Sequence, residues 1–163
     1  ELSGLLPIPR QRVGVTFKGD LGNMGVYGAL GHYFGEASKH SNSYLLGVDY
    51  SYNINYYSKL TMQLEYLVLD DLNLTQLLGP FVMMSSGKPR TNLLTGNLAY
   101  PLDDFSAVTL TAIANLEGSK YLIVPRYRNT LPGNIDLELS ITFFLSDSDP
   151  NSTAVGMGLS YPF

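Results

Sequence analysis

The chain has 163 residues, 45% of them hydrophobic and only 15% charged, against roughly 25% charged in an ordinary soluble domain. At this length one domain is expected. The lack of cysteine excludes disulfides, thiolate metal sites and cysteine nucleophiles, and a net charge of −4 speaks against a general nucleic-acid binder.

No apolar run approaches the ~18 residues that would mark a membrane helix. The sixteen Gly and twelve Tyr, with many Asn, Ser and Thr, suit strands and turns. The opening Leu5-Leu6-Pro7-Ile8-Pro9 reads as the tail of a loop. Strands are then predicted over 11–19, 24–35, 43–53, 58–69, 91–100, 107–116, 121–128, 135–145 and 153–163. Four of these alternate with a clear period of two, so successive side chains point to opposite faces. Tyr44, Leu46, Val48, Tyr50 and Tyr52 oppose Leu45, Gly47, Asp49 and Ser51. Leu60, Met62, Leu64, Tyr66 and Val68 oppose Thr61, Gln63, Glu65 and Leu67. Val108, Leu110, Ala112, Ala114 and Leu116 oppose Thr109, Thr111, Ile113 and Asn115. Ile135, Leu137, Leu139, Ile141, Phe143 and Leu145 oppose Asp136, Glu138, Ser140, Thr142 and Phe144. These runs are about ten residues long, enough for a tilted strand to cross a bilayer. Strands of soluble domains usually have about five or six.

The connections also alternate. Gly19–Asn23, Asn53–Tyr57, Pro101–Ser106 and Asn129–Asn134 are short and turn-like. Gly35–Asn42, Asp70–Arg90, Glu117–Lys120 and Ser146–Ser152 are more polar or longer. In the last segment, Val155, Met157, Leu159, Tyr161 and Phe163 form one apolar face, with Gly156, Gly158, Ser160 and Pro162 between them.

That closing strand, ending on an aromatic, resembles the last strand of a bacterial outer-membrane β-barrel. In that family a terminal Phe helps the assembly machinery recognise the chain. The resemblance extends to most of the chain as architecture and is specific only at Val155–Phe163. It implies an all-β, transmembrane, antiparallel up-and-down barrel of about 8–10 strands, with short turns in the periplasm and a porin-like role. It also implies outer-membrane lipid and lipopolysaccharide as surroundings, and small polar solutes or ions as cargo. Aromatics agree with two interfacial girdles. Tyr50, Tyr52, Tyr56, Tyr57, Tyr100, Phe105, Tyr161 and Phe163 fall near one set of strand ends, and Tyr33, Phe34, Tyr44 and Tyr121 near the other.

Nine predicted strands sit awkwardly with the even numbers usual for such barrels. A strand hidden in Glu1–Pro9 would restore parity, as would loss of the Pro125-interrupted segment 121–128. The favoured expectation is that the chain is the C-terminal part of a larger barrel.

On the face opposite the apolar one stand Lys18, Asp49, Lys59, Glu65, Arg126, Arg128, Asp136 and Glu138. The resemblance makes these pore-lining residues. The turn at 129–134 brings Arg126 and Arg128 beside Asp136 and Glu138 as a charged ladder. Such a ladder either sets the field of an open lumen or fills a narrow interior as structural ion pairs. The 70–90 link is apolar enough to fold into a lumen, to pack on a neighbouring chain, or to form its own surface cluster.

Catalysis is not expected. His32 and His40 have no Ser or Asp at a telling spacing, and His40 reads as a solvated loop residue. Asp147, Asp149 and Asn151 resemble the start of a calcium loop without its Gly and Glu, so they read as an acidic surface loop. No cofactor or metal site is expected. The alternatives are a small closed barrel with a structural or binding role, the barrel component of a larger envelope complex, a homo-oligomer, and a soluble β-sandwich.

Overall fold

A computed structural model describes residues 11–34, 41–56, 58–70, 90–147 and 150–161, apart from the side chains of 11, 12, 33, 34, 41, 69, 70 and 90. The described residues form β1 (Gln11–Leu21), β2 (Met24–Phe34), β3 (Ser41–Asn53), β4 (Lys59–Asp70), β5 (Arg90–Pro101), β6 (Ser106–Asn115), β7 (Lys120–Leu131), β8 (Ile135–Ser146) and β9 (Ser152–Ser160). They make a single antiparallel sheet in sequence order from β1 to β9. The strands predicted from alternation are therefore present as an up-and-down meander, in one layer rather than a sandwich.

The turns follow from local chemistry. The β1–β2 connection is the pair Gly22-Asn23, with Gly22 at φ 64°. The β7–β8 connection places Gly133 and Asn134 at φ 86° and 59°. Both use residue types that tolerate the left-handed region. Elsewhere a side-chain oxygen organises the turn. Asp103 accepts from the Phe105 and Ser106 N–H groups at 2.8 and 2.7 Å, and Asn55 accepts from the Ser58 N–H at 2.7 Å. The Glu117 and Gly118 N–H groups donate to Asn115 at 3.1 and 3.2 Å.

The segment most in doubt is continuous. Pro125 lies inside β7, paired with Leu110 of β6. Opposite β8, pairing stops after Ile123↔Phe143 and resumes at Arg126↔Ser140. Proline has no N–H to give the ladder, so the strand survives on its other neighbour. β9 is shorter than the predicted 153–163; Pro162 and Phe163 lie outside the described residues, as do Glu1–Pro9 and residues 71–89 of the long link.

One transverse row crosses the whole sheet: Lys18, Tyr27, Gly47, Glu65, Thr95, Ile113, Leu122, Phe144 and Ser152. Lys18 stands seven residues inside Gln11, whereas Ser152 is the first residue of β9. The stagger is thus close to one residue per strand. With a rise of about 3.3 Å and a strand spacing of about 4.8 Å, it corresponds to a tilt of roughly 35°.

The expected closed barrel is not what the described residues show. β1 and β9 are not paired to each other, and the sheet is open. Topology explains this. Eight successive antiparallel pairings leave β1 and β9 running in the same direction. Closing them on each other would require a parallel seam, unlike every other seam in the sheet. A wholly antiparallel closure takes an odd number of additional strands.

Candidate functional site

Paired residues of antiparallel strands share a face, so the registers assign every strand side chain to one of two surfaces. One row of the apolar surface reads Phe17, Gly28, Leu46, Tyr66, Leu94, Ala114, Tyr121 and Leu145. Another reads Val26, Val48, Leu64, Gly96, Ala112, Ile123, Phe143 and Thr153. The apolar sets predicted for the four clearest strands fall on this face, except Leu116, which lies past the end of β6. The face is open: Val15 is 64% exposed, Leu46 51% and Val155 80%. Every large apolar strand residue exposed to that degree lies on this surface among the described residues. Tyr50, Tyr52 and Tyr100 stand on it toward the short-turn side, and Tyr44, Tyr66 and Tyr121 toward the other. Tyr44 and Tyr66 bring their ring centres to 6.1 Å.

The opposite surface carries all eight predicted site residues. Lys18, Asp49, Lys59 and Glu65 lie on β1, β3 and β4; Arg126, Arg128, Asp136 and Glu138 lie on β7 and β8. The structure does not gather them into one cluster. It builds two separate networks.

The first spans β2 to β5. The Tyr27 ring lies across Gly47, where an added Cβ would collide with it. Only glycine lets the ring cross β3 to reach β4. There the Tyr27 hydroxyl donates to Glu65 Oε1 at 2.6 Å. Gln63 Nε2 donates to the Tyr27 oxygen at 2.7 Å and to Glu65 Oε1 at 3.0 Å, and Thr95 Oγ1 donates to Glu65 Oε2 at 3.3 Å. Neutral donors therefore hold the Glu65 carboxylate on both oxygens. Beside this network, the Asp49 carboxylate packs over Gly25, and Thr111 Oγ1 donates to Asn97 Oδ1 at 3.2 Å.

The second network is the predicted ladder. Glu138 is directly opposite Arg128, but the ion pairs run diagonally. Arg126 Nε lies 3.3 Å from Glu138 Oε1, and Arg128 Nη2 lies 2.6 Å from Asp136 Oδ2. Thr130 Oγ1 donates to the other Asp136 oxygen at 2.7 Å. Next to the ladder the small Gly158 and Ser160 of β9 leave an open depression of about 370 Å³, lined also by Arg128, Asp136, Glu138 and Leu159.

Tyr27, Gln63, Thr95 and Asn97 were not singled out by sequence reasoning. The available signal was a lone Tyr in the small-residue set Gly25, Tyr27, Ala29 and Gly31. His32 sits on the apolar face opposite Asn42, its Nδ1 2.6 Å from Asn42 Oδ1; His40 lies outside the described residues. Asn151 accepts from the Ser146 N–H at 2.9 Å, which ties the β8–β9 connection, and Asp149 is likewise outside the described residues. Among the described residues no group of three His, Cys, Asp or Glu is placed to hold a metal ion. No protein-family model matches the chain, and no curated protein or solved structure matches it either.

Proposed function

We propose that this chain is part of the wall of a bacterial outer-membrane β-barrel, porin-like in role, with its polar face lining a wetted lumen. Small polar solutes or ions would cross that lumen by passive diffusion. The observation that carries the reading is the exposed apolar face, which continues over nine strands. Soluble proteins rarely leave so continuous an apolar surface in water. Outer-membrane lipid and lipopolysaccharide are solvents in which that exposure is stable. Strand lengths of 9–13 residues, a tilt near ~35°, and Tyr toward both ends of the strands support the same reading. The eight charged residues then line the lumen, and Arg126, Arg128, Asp136 and Glu138 set part of its field. No catalytic role or bound cofactor belongs to this proposal.

The polar networks favour one second reading, a small barrel whose interior is filled by its own side chains and whose role is structural or binding. Planar-bilayer recordings separate the two. Discrete single-channel conductance from a detergent-extracted, folded, full-length preparation is expected. Silence from such a preparation would remove the pore and leave the filled barrel. Full extraction without detergent would overturn the membrane placement itself.

A further inference from the structure

The polar face is interrupted at a constant depth. Leu45 of β3, Leu67 of β4, Leu93 of β5, Ile113 of β6, Leu122 of β7 and Phe144 of β8 all project from it. Each stands two to four residues inside the end of its strand remote from the short turns. Within single strands these look like scattered exceptions to polar alternation. The registers make them one belt. Leu45, Leu67 and Leu93 occupy a common row, as do Ile113, Leu122 and Phe144. The step between the two rows follows the stagger of the sheet and keeps the belt level. Nearer the short turns the same face carries Asp49, Lys59, Thr61, Gln63, Asn97, Thr109, Arg126 and Glu138. Leu93 and Leu122 are only 6% and 5% exposed, two of the few buried apolar side chains among the described residues.

We infer that this belt is an apolar constriction at the long-connection mouth of the lumen, and that it limits passage by excluding water. The inference rests on the pore reading above and deepens it by locating the resistance. Water in a narrow apolar ring loses hydrogen-bond partners, so the ring dewets and hydrated ions are held back. The charged networks lie deeper, on the wetted side. The belt therefore acts on all hydrated solutes, whereas the networks act by sign of charge.

Single-channel conductance of the full-length protein and of its Leu93→Ser, Leu122→Ser and Leu93→Phe variants tests this, with circular dichroism verifying strand content. Both serine variants are expected to conduct roughly twofold or more above the parent, and the phenylalanine variant below it. If Leu93→Ser and Leu122→Ser do not fold, Leu67→Ser, at a half-buried position of the same belt, takes their place. Parental conductance in folded serine variants overturns the constriction and leaves the pore intact. Silence from parent and serine variants alike overturns the pore, and the constriction with it.

Discussion

The two polar networks reach the same end by opposite means. On β7 and β8, two arginines neutralise two carboxylates through ion pairs that are about half exposed at Arg126, Arg128 and Glu138. On β2 to β5, one carboxylate is held by the neutral donors Tyr27, Gln63 and Thr95. The first depends on a hairpin, since Arg128 and Asp136 are eight residues apart. The second depends on sheet register, since Tyr27 and Glu65 are 38 residues apart with a glycine between them in space. A local device tolerates sequence change. A register device does not, because its members have no other route to one another.

The largest expected effect breaks the register device. Gly47→Val would drive a branched side chain into the Tyr27 ring and should destabilise the fold by about 1–3 kcal/mol, as overpacking does. Chemical denaturation would read this. Adding Tyr27→Ala should restore part of the loss, which a general intolerance of valine in β3 would not produce. A smaller effect is expected at the ladder. Exposed ion pairs contribute little to stability, so Arg126→Gln and Arg128→Gln should leave the denaturation midpoint nearly unchanged. In bilayers they should shift reversal potential toward cation preference. A change in stability with no change in selectivity would make the ladder structural.

The smallest effect concerns the turn that supports the ladder. The Thr130 N–H donates to the Phe105 carbonyl at 2.8 Å, and Thr130 also holds Asp136. Phe105 in turn is placed by Asp103. Hydrogen bonds from Ser106 and then from Phe105 hold the Asp103 carboxyl below its ordinary range. A carboxyl lowered on folding stabilises the turn above its unfolded value, about 3.9, and that contribution is lost as pH falls through the lower folded value. NMR titration of the Phe105 and Ser106 amides should therefore show a transition below the usual carboxylate range. Asp103→Asn should abolish it.

Much of this was legible in the chain. Period-two alternation assigned the apolar faces of 44–52, 60–68, 107–116 and 135–145, and it placed all eight charged residues on the other surface. Turn chemistry found the hairpin that makes the ladder. Three features were beyond local reading. Pro125 weakened the strand predicted over 121–128, because the proline rule cannot know that β6 would still pair with it. Tyr27 carried no sign that Gly47 would lie beneath its ring. Leu45, Leu67, Ile113 and Phe144 looked like isolated lapses in alternation, because depth along a tilted strand is invisible until the stagger is known.

The sequence by itself determined the element type, the two-faced character of the clearest strands and the hairpin order, because each depends on neighbours one to a few residues apart. Only the tertiary structure decided the stagger, the open edges, the Tyr27–Glu65 network and the level belt. Each of these sums small register choices across many strands, and a one-residue slip at any seam would move every side chain beyond it to the other face.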